Sequence, residues 1–198
     1  MVAGALTGLI IVVLARRSLR PLITLKLRWS WLIFAALGMQ LLITTFVPDM
    51  GSGPSKVIHL GSYVCVLAFL GINWRLPGVG LILIGAILNL SAIVANDGVM
   101  PAKAAALRSA GIVETKEFEN SAPVKNPKLQ VLGDVFAVPA SVPLANVFSI
   151  GDVIIDIGAI LLIVMTCLRG SAMTNPDLKD EMTTEGRNVL EITGSDVG

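Results

Sequence analysis

Apolar residues in this chain are gathered into five long blocks, covering residues 1–15, 29–47, 56–73, 79–95 and 148–168, with turn-rich or charged stretches between them. A helix needs about 20 predominantly apolar residues to cross the ~30 Å hydrocarbon core of a bilayer. The first block is short for a span and the others come close to that length. The pattern predicts an all-α membrane protein, a five-transmembrane-helix bundle with one long outer segment over residues 96–147. Residues 170–198 carry six acidic residues among many small polar ones and read as a disordered cytoplasmic tail.

Loop charge orients the five blocks. No basic residue precedes the first, so it reads as an uncleaved anchor rather than a secretory signal. Arg16, Arg17, Arg20, Lys26 and Arg28 follow it with no acidic residue among them. The positive-inside rule places that loop in the cytoplasm, with the N-terminus outside and the C-terminus inside. Trp29 and Trp31 stand where an interfacial belt would anchor the second span, and Trp74 and Arg75 mark a tight inner turn. Gly4 and Gly8 form a GxxxG pattern that suits close helix packing and also arises by chance in an apolar helix. In the outer segment, five basic residues balance five acidic ones. Pro101 suits a helix start, Gly111 a stop, and the Pro-punctuated stretch 122–143 either a little extended structure or a re-entrant turn.

Composition narrows the function classes. The chain is 54% hydrophobic and 15% charged, against about 25% charged in soluble domains. A net charge of +1 carries no nucleic-acid signature. Cys65 and Cys167 lie in different apolar blocks, and with one histidine in the chain no metal site and no cofactor is expected. Gly78-x-Gly80 lies in apolar helix without a βαβ context, so it is no nucleotide fingerprint.

Polar residues inside the blocks concentrate toward the outer side. Gln40, Thr44, Asn89 and Ser91 fall near the outer ends of spans two and four, and His59, Asp152 and Asp156 near the outer starts of spans three and five. At about 1.5 Å rise per residue, Asn89 and Asp156 come to roughly the same depth, ~10 Å below the boundary. A carboxylate in a membrane helix costs several kcal/mol, so it comes with a partner or a task. Three roles compete for this set: hydrogen bonding between helices, acid–base chemistry by paired carboxylates, and a binding or translocation cavity.

Two resemblances attach to these residues. Asn-Asp-Gly-Val-Met-Pro (96–101), Leu-Gly-Asp (132–134) and Asn-Val-Phe-Ser-Ile-Gly-Asp (146–152) resemble a family of small bacterial membrane proteins catalogued as a domain of unknown function. That resemblance covers about residues 1–170 and implies a multi-pass protein of the bacterial inner membrane. Gly85, Ala86 and Asn89, then Gly133, Asp134 and Val135, then 148–152, echo motifs of the lipoprotein signal peptidase, placing Asp152 on one catalytic aspartate. The position three residues after Asn89, where that family has its other aspartate, is Ala92; Ser149 and Gly151 also depart from its pattern.

These observations lead to an acidic, polar pocket at the outer leaflet that binds a lipid, a peptide or a partner helix, with Asn89, Asn96, Asp134, Asp156, His59 and Ser149 as its binding residues. The expected partners are membrane lipids, a lipid-anchored peptide or another membrane protein, and not nucleic acid. The alternative is an aspartic hydrolase acting on a lipid-anchored substrate, with Asp152 and Asp97 as the dyad and Asn89 orienting them.

Overall fold

A computed structural model describes residues 2–46, 52–112, 121–122, 124, 126–143 and 145–174. Helices fall on all five apolar blocks: α1 (Val2–Leu14), α3 (Trp31–Phe46), α4 (Ser52–Ile72), α5 (Val79–Ala95) and α7 (Ile150–Thr174). Between them lie two short helices, α2 (Arg20–Ile23) and α6 (Ala104–Ala110). The last helix runs five residues into the stretch expected to be tail, and the rest of that tail lies outside the described residues. At about 1.5 Å per residue, α4 and α7 are ~31 and ~37 Å long, while α1, α3 and α5 reach only ~20–26 Å. Two helices are therefore long and apolar enough to cross a membrane, through Ser55–Ile72 and Ile150–Arg169, with mean hydropathies of 1.6 and 2.3.

The expected bundle is instead an open row. Principal packing follows the order α3, α4, α5, α7, α1. Gln40 meets His59 and Ser62 while Arg28 meets Asn73, so α3 and α4 are antiparallel. Glycines set the two tightest seams. Gly85 lies against the backbone of Gly151, and Gly78, the residue that caps the start of α5, against that of Gly158, so α5 and α7 cross antiparallel with paired glycines at two levels seven residues apart. Gly4 lies against Asp156 and Gly8 against Ile160 and Ile163, which makes α1 parallel to α7. A row leaves most helix surface uncovered: only 28% of the Ser55–Ile72 stretch and 22% of Ile150–Arg169 are buried. The outward side chains are large and apolar, Phe34 and Val57 both at 71% exposure.

The described residues of the 96–147 segment form a small folded cap rather than a plain loop, so the chain is not wholly α. Strands β1 (Met100–Pro101) and β2 (Ser121–Ala122) run parallel, and β3 (Phe136–Val138) pairs antiparallel with β4 (Asn146–Phe148). Pro101 starts no helix. Its carbonyl accepts the Asp134 N–H at 2.9 Å, while Lys103 N–H donates to the Asp134 carbonyl at 3.0 Å, which holds residues 101–103 extended. α6 begins three residues later and ends where expected. Gly111, at φ +69°, takes the left-handed turn, and Ile112 N–H returns to the Leu107 carbonyl at 3.0 Å. Ala102, Ala106, Leu107, Ala110 and Val147 bury together, with Ala137 packed on them, giving the cap its own core.

Candidate functional site

Ser149 and Asp152 open α7 with a reciprocal cap. Four backbone N–H groups at a helix start lack intrahelical partners, and a Ser/Thr followed three residues on by an acid satisfies two of them. Here Asp152 N–H donates to Ser149 Oγ at 3.0 Å, and Ser149 N–H donates to Asp152 Oδ2 at 2.9 Å. The negative charge also sits at the positive end of the α7 dipole. Asn89 reaches across from α5 and closes the knot. Its Nδ2 donates to Asp152 Oδ1 at 3.0 Å, and its Oδ1 lies 2.9 Å from Ser149 Oγ. The Ser149 hydroxyl has one proton for Asn89 Oδ1 and for Asp152 Oδ2, which is 2.8 Å away. Both Asp152 oxygens accept hydrogen bonds within the knot. Gly151 is what lets Asn89 come so close, since a Cβ there would overlap the Asn89 carboxamide.

Of the other sequence-predicted residues, His59 and Asp97 line one groove between α4 and α5, and the rest are distributed rather than gathered. Asp156 lies against α1, its Cα and Cβ meeting Gly4, so the partner of Asn89 is Asp152 and not Asp156. His59 is buried in the α3–α4 seam, where Gln40 Nε2 lies 3.1 Å from its Nδ1 and the Tyr63 ring stands edge-on with centroids 5.2 Å apart. Gln40 Nε2 also donates to Ser62 Oγ at 2.7 Å, and Ser62 Oγ donates to the His59 carbonyl at 2.6 Å. Asp134 is buried in the cap through the backbone pairing described above. Asp97 is exposed just past the end of α5, on the wall of a groove shared with α4, and belongs to none of the hydrogen bonds around Asp152. One pocket collecting all these groups is not what the chain builds.

Two asparagines form matching clamps, one of them unforeseen. Asn96, at the end of α5, donates from Nδ2 to the Lys128 carbonyl at 2.8 Å and accepts the Lys128 N–H at Oδ1 at 2.9 Å. Its Nδ2 also donates to the Ala92 carbonyl one turn back, at 2.7 Å. Asn73, at the end of α4, does the same to Arg28, with 2.9 Å in both directions and 2.8 Å to the Phe69 carbonyl. Each side-chain amide thus stands in for a strand, pairing both polar groups of a distant residue while tying down a helix-end carbonyl. Asn73 carried only a faint sequence signal, an amide closing an apolar block just before Trp-Arg. Its clamp draws Trp29 and Trp31 to the same end of the row as the Trp74–Arg75 turn, and all three indoles are more than half exposed.

The Asn96 clamp fastens the cap to the helices. Asn96→Asp keeps the acceptor but turns the donor into a carboxylate oxygen facing two carbonyls. We expect about 2–4 kcal/mol of local destabilisation and a cap that opens without unfolding of the helix row. Amide hydrogen exchange at Lys128 should accelerate at least tenfold, while the amides of α7 keep their protection.

Among the described residues, no group of three or more His, Cys, Asp or Glu side chains is placed to hold a metal ion. Residues 24–164 match the model of a family of unknown function, DUF5317, and the chain belongs to that family. The matched region takes in α3 to α6, the cap and most of α7, and leaves out α1. No curated protein and no solved structure matches the chain.

Proposed function

We propose that this member of the DUF5317 family is a multi-pass protein of a bacterial inner membrane that acts by binding, with membrane lipid as its first partner. The reading has α1, α3, α4, α5 and α7 embedded, the N-terminus and the cap outside, and the tail in the cytoplasm. The observation that carries it is the low burial of the two longest apolar helices, 28% and 22%. An apolar helix at the centre of a water-soluble protein is mostly covered. Exposing this much aliphatic surface to water would cost about 25 cal/mol per Å², whereas lipid tails cover it at no such cost. Arg16, Arg17, Arg20, Lys26, Arg28 and Arg75, together with the exposed Trp29, Trp31 and Trp74, supply the inner-face charge and aromatic belt that such a protein carries.

Binding is favoured over chemistry because the polar groups serve each other. A hydrolytic dyad needs Asp97 and Asp152 on one water. Asp152 is occupied on both oxygens by Ser149 and Asn89, and Asp97 faces a different groove. The hydrolase alternative therefore has no observation behind it.

Single-cysteine labelling tests the topology. In a Cys65→Ala, Cys167→Ala background, Ser141→Cys in the cap should react with a membrane-impermeant maleimide on intact cells. Ser18→Cys should react only after the membrane is opened. Labelling of both from outside, or recovery of the protein in the soluble fraction, would overturn the proposal.

A further inference from the structure

The groove between α4 and α5 is the part of the molecule that the knot and clamps leave unexplained. It is an open hollow of about 260 Å³ at the outer ends of both helices, with Lys56, Val57, His59 and Leu60 on one wall and Ile93, Val94 and Asp97 on the other. Among the described residues, neither the Lys56 ammonium nor the Asp97 carboxylate has a hydrogen bond or an ion pair. Opposite charges thus stand on facing walls without neutralising each other. Gly98, at φ +89°, makes room for the lysine: a Cβ there would come within 3.2 Å of Lys56 Cγ.

Depth and shape identify what fits. From the Trp74–Arg75 turn to Lys56 along α4, and to Asp97 along α5, the path is ~27–29 Å at about 1.5 Å per residue, one hydrocarbon thickness. With the tryptophans at one headgroup plane, the groove lies at the other. Below it, Val57, Leu60 and Val64 recur on one exposed face of α4, and Val94, Ile87 and Ile84 on one exposed face of α5. A charged hollow therefore opens onto two apolar ribbons running down into the bilayer.

We infer that this groove is a binding site for a zwitterionic phospholipid of the phosphoethanolamine class, with the phosphate on Lys56, the primary ammonium on Asp97 and the acyl chains along the two ribbons. Charge complementarity decides the class. A purely anionic headgroup would leave the phosphate facing Asp97, and a quaternary ammonium has no N–H to give the carboxylate. The inference rests on the reading that the helices cross a bilayer.

The test uses the full chain reconstituted into vesicles of phosphatidylethanolamine, phosphatidylcholine and phosphatidylglycerol in equal parts. Flotation comes first, followed by mild-detergent extraction and native mass spectrometry of retained lipid. Wild type should retain phosphatidylethanolamine over each of the others by about tenfold. Asp97→Asn, which keeps a residue suited to the left-handed φ of +57°, should cut that preference to about twofold or less. Lys56→Gln should lose about tenfold of total retained lipid. On wild type alone, soluble glycerophosphoethanolamine should displace the lipid and glycerophosphate should not. Equal retention of the three lipids, an unchanged preference in Asp97→Asn, or displacement by both competitors would overturn the inference. So would a lipid-free dimer that Lys56→Gln dissociates, which would place a second copy in the groove. Failure to float would sink the membrane reading itself, whereas flotation without selection sinks only the lipid site.

Discussion

Gly151→Ala is expected to be strongly damaging for a single added methyl, costing about 3–5 kcal/mol and leaving little folded material. The added Cβ would overlap the Asn89 carboxamide and come within 2.8 Å of the Gly85 carbonyl oxygen. Neither neighbour can retreat. Gly85 is itself wedged against the Gly151 carbonyl oxygen at 2.5 Å and Ile155 Cγ1 at 2.7 Å, measured from where its own Cβ would stand. Asn89 is held by Asp152 and Ser149. Accommodating the methyl means prying α5 from α7 or breaking the knot, and the cost combines overpacking with buried polar groups left unmatched. The control is Gly80→Ala on α5, where a Cβ would meet nothing within 4 Å. That change should leave the thermal midpoint unchanged or raise it slightly, since Ala favours helix by roughly 0.5–1 kcal/mol over Gly. Thermal midpoints from tryptophan fluorescence, read side by side, check both. Similar midpoints for the two variants would mean that the α5–α7 seam is looser than its geometry.

The helices were legible because long apolar blocks are a statement about burial that needs no partner. α5 covers the same residues as its apolar block, and α1 and α3 end within two residues of theirs. The arrangement of the helices was less legible. Gly85, Gly151 and Gly158 look like incidental small residues until the two helices are laid antiparallel and each glycine finds a backbone opposite. The cap was harder still. Its strands are two or three residues long and pair across wide sequence separations, Met100 with Ser121 and Phe136 with Phe148, so no local periodicity announces them.

At Asp152 the sequence held a signal that points to structure. Ser-x-x-Asp immediately before an apolar run is a helix-start signature. Asp156, four residues on, falls on the same helix face by spacing alone. The local signature predicts what Asp152 does, and the i, i+4 spacing does not, because the Asp152 carboxylate bends back to its own helix terminus while Asp156 lies against α1. Asn89 then explains how the carboxylate is accommodated in the α5–α7 seam: an amide supplies a donor to Asp152 and an acceptor to Ser149 in one group, without adding charge.

Exchanging the two side chains is the decisive experiment on that knot. Asn89→Asp alone would set a second carboxylate against Asp152 with only the single Ser149 hydroxyl proton left for the two of them, and we expect a loss of about 3–5 kcal/mol. Asp152→Asn alone should be mild, about 1–2 kcal/mol. Its new amide can donate to Asn89 Oδ1 if the Asn89 carboxamide turns over, while its remaining oxygen still accepts the Ser149 N–H. The double variant, Asn89→Asp with Asp152→Asn, restores one charge and one amide and should recover most of the stability lost in Asn89→Asp. A coupling of at least 2 kcal/mol in that cycle, read from thermal or denaturant midpoints, is the expected outcome. Additive losses would mean that the two side chains do not bond across the α5–α7 seam. Lipid retention gives the complementary reading: since the groove at Lys56 and Asp97 shares no residue with the knot, the double variant should keep the wild-type lipid preference.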